Sequence, residues 1–349
     1  MKAEHNPKHR SNSEIGELPA RRCTANRRLP SVLVLLAALA IIHLRAGSGF
    51  AQDAKEEVVA NLAAGRVTVL VAKGGILVAT QGKTVEPGSR MPVVLELSRR
   101  RVVILMGAVE WAFPSLNRPT IRLSREVPAL LGQIAGPKRM EAEQSSDIEQ
   151  LGMALLEPLR PAAAALRSKI EFSEDEPVVE MLIIGYAEDY GAEVWQLKYR
   201  LRQDLVRGDY WRTRILNPSY EQLYPPEKGQ PRTIVESRYP ADDEEPGLPQ
   251  VFHSNDPRLD RARQSSTQSA KAAQFIARGE SHKADLDGAT EFFRAALNAV
   301  VPESVPLGLL IIREQRGVDW VIAPPERPEV VAEAPAKPRE PGAPTLRKP

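Results

Sequence analysis

Arg66-Val67-Thr68-Val69-Leu70-Val71-Ala72-Lys73-Gly74-Gly75-Ile76-Leu77-Val78-Ala79-Thr80 is the stretch that decides the fold of this chain. Two apolar, β-branched runs, 67–72 and 76–80, flank Lys73-Gly74-Gly75. β-Branched side chains suit a pleated surface, and glycine supplies the positive backbone angle of a tight hairpin turn. The runs are nearly continuous rather than alternating, which predicts strands covered on both faces. The pattern continues at 93–97 and 102–109, joined by the basic turn Ser98-Arg99-Arg100-Arg101.

Helical spacing follows. Ile121, Val127, Leu130, Leu131 and Ile134 predict one helix, which Pro128 shortens or kinks. Ser146 with Glu149 reads as a capping box opening a second. Its apolar stripe is Ile148, Leu151, Leu155, Leu159, Ala163 and Leu166, interrupted by Pro158 and Pro161. Strands are predicted at 178–186, 193–201 and 210–216, then a long Pro- and acid-rich connection over 217–257. Helices resume at 258–279 and 286–301, the latter with Asp287 as N-cap, and strands close the domain at 307–312 and 318–322. The Pro-rich tail 324–349 has too little apolar surface to fold. Two-sided sheets alternating with helix pairs predict an α/β four-layer sandwich over 52–323, two packed, mainly antiparallel sheets flanked by helix pairs.

Residues 1–51 have a different character. Arg21, Arg22, Arg27 and Arg28 precede an apolar run at 29–44, and Gly49 and Ala51 stand at small-x-small positions before Gln52. That is the pattern of an export signal cleaved between Ala51 and Gln52, behind a long polar n-region. The apolar stretch is short of the roughly 20 residues of a comfortable membrane span. The rival reading is an uncleaved inner-membrane anchor at 29–44. Cleavage removes Cys23, the only cysteine, and so leaves no disulfide or thiolate metal site. It also removes eight of 47 Lys/Arg and three of 45 Asp/Glu, leaving 39 basic and 42 acidic residues and a charge near −3. Such a balance gives no overall attraction to nucleic acid, and membrane contact is expected only through an uncleaved leader.

The hairpin at 66–80, an apolar strand, a Lys-x-Gly turn and a second apolar strand, resembles the opening of proteasome subunits, members of the N-terminal-nucleophile hydrolases. Leu182-Ile183-Ile184-Gly185-Tyr186 is similar to that family's central strand entering a Gly-aromatic turn, and 285–312 to its closing helix and strand. The resemblance implies catalysis by the side chain of the first mature residue, with the freed α-amine as base and an Asp and a Lys nearby. By the family's spacing, the nucleophile position falls on Gly65, the Asp on Gln81, and the Lys near Pro92, with Arg90 close by. All three roles are vacant. Thr68 is the alternative nucleophile, three residues out of register, and a β-branched strand residue on its bland reading.

Other chemistry is sparse. His253 and His282 have no His or Cys at ligand spacing. Asp285-Leu286-Asp287-Gly288 matches part of a calcium loop but lacks the later ligands, so helix capping is the simpler reading. No metal site or cofactor is expected. Tyr210 and Trp211, with Tyr220, Tyr224 and Tyr239, lie on or beside the long connection, either as a partner-binding surface or packed onto their own domain. The expectation is an exported, periplasmic or secreted, non-catalytic protein acting through a protein partner or as a homo-oligomer. The alternatives are a self-processing threonine hydrolase using Thr68 and an unrelated periplasmic α/β binding module.

Overall fold

The computed structural model describes residues 59–82, 91–113, 118–139, 145–166, 175–187, 191–208, 210–226, 234–239, 252 and 256–325. The leader, its Ala51–Gln52 cleavage point, Arg90, His253 and the tail beyond 325 lie outside these residues. After a short β1 (Val59–Ala63), the expected hairpin forms as β2 (Gly65–Ala72) and β3 (Gly75–Gly82), and every residue of both strands is buried. Its turn needs both glycines. Gly74 adopts φ +85°, and a Cβ on Gly75 would stand 2.6 Å from the Leu286 side chain.

Two open antiparallel sheets make this a mixed α/β fold. In the smaller, β11 (Val235–Tyr239), β2, β3, β12 (Leu307–Arg313) and β13 (Gly317–Ile322) lie side by side in that order. The larger is organised on β5 (Arg101–Phe113). One edge of β5 carries β4 (Val93–Ser98) and β1, and the other carries β7 (Pro177–Ala187) and β6 (Arg118–Arg122). β8 (Gly191–Arg207) pairs along β7, and its far edge receives β9 (Tyr210–Ile215) and β10 (Ser219–Tyr224).

The helices are α1 (Leu123–Arg139), α2 (Ser145–Ala154), α3 (Leu156–Ala165), α4 (Asp260–Arg263), α5 (Thr267–Ala277) and α6 (Leu286–Val300). Side chains on alternate strand positions fall into three apolar cores. Val103, Leu105, Met181, Ile183 and Leu197 pack with Ile148, Leu151 and Leu159 of α2 and α3. Leu70, Leu77, Leu309 and Ile311 pack with Ile276 of α5 and Phe292 and Phe293 of α6. The third core holds Val67, Val69, Ile76 and Val78 of the smaller sheet against Ile104, Leu182, Ile184 and Val194 of the larger.

Several elements differ from expectation for identifiable reasons. The 146–166 stripe is two helices, broken at Leu155 rather than at a proline. Pro158 has no N–H for the Ala154 carbonyl and its ring crowds that carbonyl, so the break falls one turn earlier. The long connection contains β10 and β11. These are edge strands whose mixed polar sequences, SYEQLY and VESRY, lack the two-sided apolar signature of the central strands. Residues 118–122, read in part as helix, form β6, and Arg122 Nε donates to Glu110 Oε1 at 2.8 Å across β5 and β6. Ser146 is the second residue of α2 rather than its cap. Asp285, not Asp287, stands at the N-cap position of α6, without a side-chain capping bond. Among the described residues no helix is long and apolar enough to cross a membrane.

Candidate functional site

Pairing of β2 with β3 brings Gly65 opposite Gly82 and Arg66 opposite Gln81, and Pro92 closes over the same end. The three positions aligned with the proteasome-type machinery therefore meet in space. There is no room for a side chain at Gly65. Gly65 has φ +146°, and a Cβ there would stand 1.9 Å from the Gln81 carbonyl oxygen and 3.1 Å from Pro92 Cδ. Gln81 itself is buried. Thr68 is fully enclosed in mid-strand, between Ala79 of β3 and Glu236 of β11. Freeing its amine would remove Gly65, Arg66 and Val67, each of which is paired on both sides.

A second set of residues, absent from the sequence expectation, forms the most chemically distinctive cluster. The seam between the sheets is apolar along most of its length. It turns polar where β7 and β8 face β11. Glu180 falls in phase with Leu182 and Ile184, so the two-residue period aims its carboxylate into the seam rather than outward. Gln196, on β8 opposite Leu182, and Ser237, on β11 opposite Val67, point into the same space. Gln196 Nε2 donates to Glu180 Oε1 at 2.7 Å and to Ser237 Oγ at 2.9 Å, and Ser237 Oγ donates to Glu180 Oε1. Burial pushes the Glu180 carboxyl above its ordinary range. The bonds from Ser237 and Gln196 and the charge of Lys198 oppose that rise, and Glu221 adds to it.

This circuit forms the floor of an open cleft of about 440 Å³, whose walls include Lys198, Arg200, Glu221 and Arg238. Arg200 Nε donates to the Asp175 carbonyl at 2.8 Å, and Arg238 Nε to Glu236 Oε1 at 2.6 Å. Lys198 and Glu221 make no hydrogen bond among the described residues, and their charges act on Glu180 from the cleft walls. Burial, with the nearby charges of Glu176 and Glu180, also pushes the Tyr239 hydroxyl upward. No cluster of metal-ligating side chains occurs among the described residues.

No known family model matches this chain. No curated protein matches it in sequence either. The signal for the cleft was a single letter, the lone carboxylate in Val178-Val179-Glu180-Met181-Leu182-Ile183-Ile184 at a position that periodicity assigns to the interior. Of the aromatics singled out, Tyr220 donates its hydroxyl to the Glu149 carbonyl at 3.1 Å, and Tyr224 is buried in the seam core. Tyr239 packs against that core. Tyr210 alone among them is exposed. His282 occupies a short 3-10 turn at Ser281–Lys283, and Asp285 bridges to Lys73 at the hairpin turn.

Proposed function

We propose that this is an exported, non-catalytic protein with the four-layer helix–sheet–sheet–helix order of proteasome-like proteins, acting through contacts with other protein chains or with copies of itself. The layer order is supported by the three apolar cores, two of them between a sheet and helices and one between the sheets. Loss of catalysis is supported above all by Gly65. A nucleophile there needs a side chain, and the space for even its first carbon is filled by a backbone carbonyl 1.9 Å away. Export rests on the leader sequence at 21–51.

The test is intact-mass measurement of the exported protein together with light scattering. A chain beginning at Gln52 is expected, with a mass in solution that reveals assembly or a monomer awaiting a partner. A new N-terminus at Thr68 would sink the proposal, because it requires the self-processing that the β2 pairing opposes.

A further inference from the structure

β8 outruns the sheet to which it belongs. Residues 191–200 pair with β7, and 194–198 with β10 as well. From Leu201 to Arg207 the only strand beside it among the described residues is β9, and the two make a two-stranded ribbon that turns at Gly208, φ +56°. The root of the ribbon is supported. Thr213 Oγ1 donates to the Leu166 carbonyl at the end of α3 at 2.5 Å and accepts from Gln203 Nε2 at 2.7 Å, and Leu201 is buried beside them. The far end is not. Leu205 is 56% exposed, Val206 57% and Tyr210 46%. With Leu216, these are four of the five exposed large apolar side chains among the described residues, gathered on one ribbon and its exit.

The same ribbon is basic. From Leu201 to Leu216 the sequence has four arginines and two aspartates, against a near-neutral remainder. Register places Arg202 and Asp204 on one face with Arg212 and Arg214, and Leu205 with Trp211 on the other. Asp204 is engaged by Arg214 at 2.5 Å and by Arg202 at 3.3 Å, which holds its carboxyl below the usual range. Arg207 and Arg212 have no acidic partner among the described residues.

We infer that this ribbon docks on an anionic lipid surface. Leu205, Val206 and Tyr210 enter the boundary between headgroups and acyl chains, and Arg207 and Arg212 face the lipid phosphates. A polynucleotide or an acidic protein would engage the arginines but leave Leu205 and Val206 in water. A bilayer interface needs no matching shape, and aliphatic, tyrosine, tryptophan and arginine side chains are the ones that partition there. The inference stands on the ribbon alone and is independent of the four-layer reading.

The test uses the full chain with vesicles of phosphatidylcholine alone and of phosphatidylcholine mixed with phosphatidylglycerol, each carrying brominated acyl chains that quench nearby tryptophan. Quenching is expected with the anionic vesicles only, falling as salt is raised, and lost in Trp211→Phe. The leader contains no tryptophan, so its own insertion leaves no such signature. In the double variant Arg207→Gln/Arg212→Gln, both exposed positions, partition should fall about thirty-fold. Leu205→Ser/Val206→Ser should weaken partition at every salt concentration. Quenching that survives in Trp211→Phe, or equal partition of the arginine variant and the parent, overturns the inference. So does binding to double-stranded DNA or polyglutamate without quenching by vesicles, which would reassign the ribbon to a polyanionic macromolecule.

Discussion

Gly65→Ala tests the closure of the aligned nucleophile position directly, with Gly74→Ala as its internal control. Both glycines have positive φ, so an alanine at either is strained by roughly 1–3 kcal/mol. They differ in what a Cβ would meet. Nothing lies within 4 Å at Gly74, whereas at Gly65 the Gln81 carbonyl oxygen is 1.9 Å away. That oxygen cannot retreat cheaply, because Gln81 is laddered to Arg66 on one side and Leu307 on the other. Forcing an extra carbon into packed structure adds roughly 1–3 kcal/mol. Gly65→Ala should therefore lose about 1–3 kcal/mol more than Gly74→Ala in urea unfolding with matched slopes. A difference within about 0.5 kcal/mol, the spread of ordinary surface substitutions, would refute the closure and reopen the position to a side chain.

Glu180→Gln should flatten part of the pH dependence of stability. The folded state binds the Glu180 proton more tightly than the unfolded chain, so its contribution is greatest below the ordinary carboxyl value of 4.5 and is lost as pH rises from there through the higher folded value. The amide keeps an oxygen to accept from Ser237 and Gln196, so the variant should be the more stable protein at neutral pH, measured as the difference in urea midpoints across pH. Ser237→Ala removes a bond that favours the ionised carboxylate and should move the Glu180 titration further upward, read by NMR of the carboxyl carbon. Phe252→Ala should cost about 3–5 kcal/mol in urea unfolding, since the buried ring sits with its centroid 5.6 Å from those of both Phe292 and Phe293.

The central strands and the amphipathic helices were legible because burial on both faces leaves continuous apolar runs and helical burial leaves a three-four period. β2, β3, β5 and β7 all announce themselves in this way, and α6 does so through Leu286, Phe293 and Leu297. The edge strands β10 and β11 did not, because they bury one face at most and their sequences alternate without a strong apolar side. The aligned positions Gly65, Gln81 and Pro92 were locatable by spacing, but their mutual contact was not, since it depends on register and on the Gln81 carbonyl. The cleft escaped for a related reason. Glu180, Gln196 and Ser237 lie on three strands, and Ser237 comes from a segment read as a connection. Only the strand pairing assembles them.

Their geometry also argues for what the circuit does. A serine that attacks must present a free lone pair to its substrate and pass its proton to a base. Ser237 Oγ donates to Glu180 and accepts from Gln196, which leaves one lone pair, and it is burial, with the residue 5% exposed, that keeps that lone pair from a substrate. The same bonds have a structural consequence. β11 is an edge strand that among the described residues pairs only with β2 in its own sheet, and Ser237 gives it a second attachment, to β7 and β8 of the other sheet. A buried carboxylate is costly to desolvate and is tolerated where such bonds satisfy it. Shifting β11 by one residue in one direction would replace Ser237 with Glu236 and set a second carboxylate against Glu180, and in the other would replace it with Arg238. The circuit thus ties β11 to the facing sheet and disfavours the slip toward Glu236, while Lys198 and Glu221 line the walls of the cleft above it.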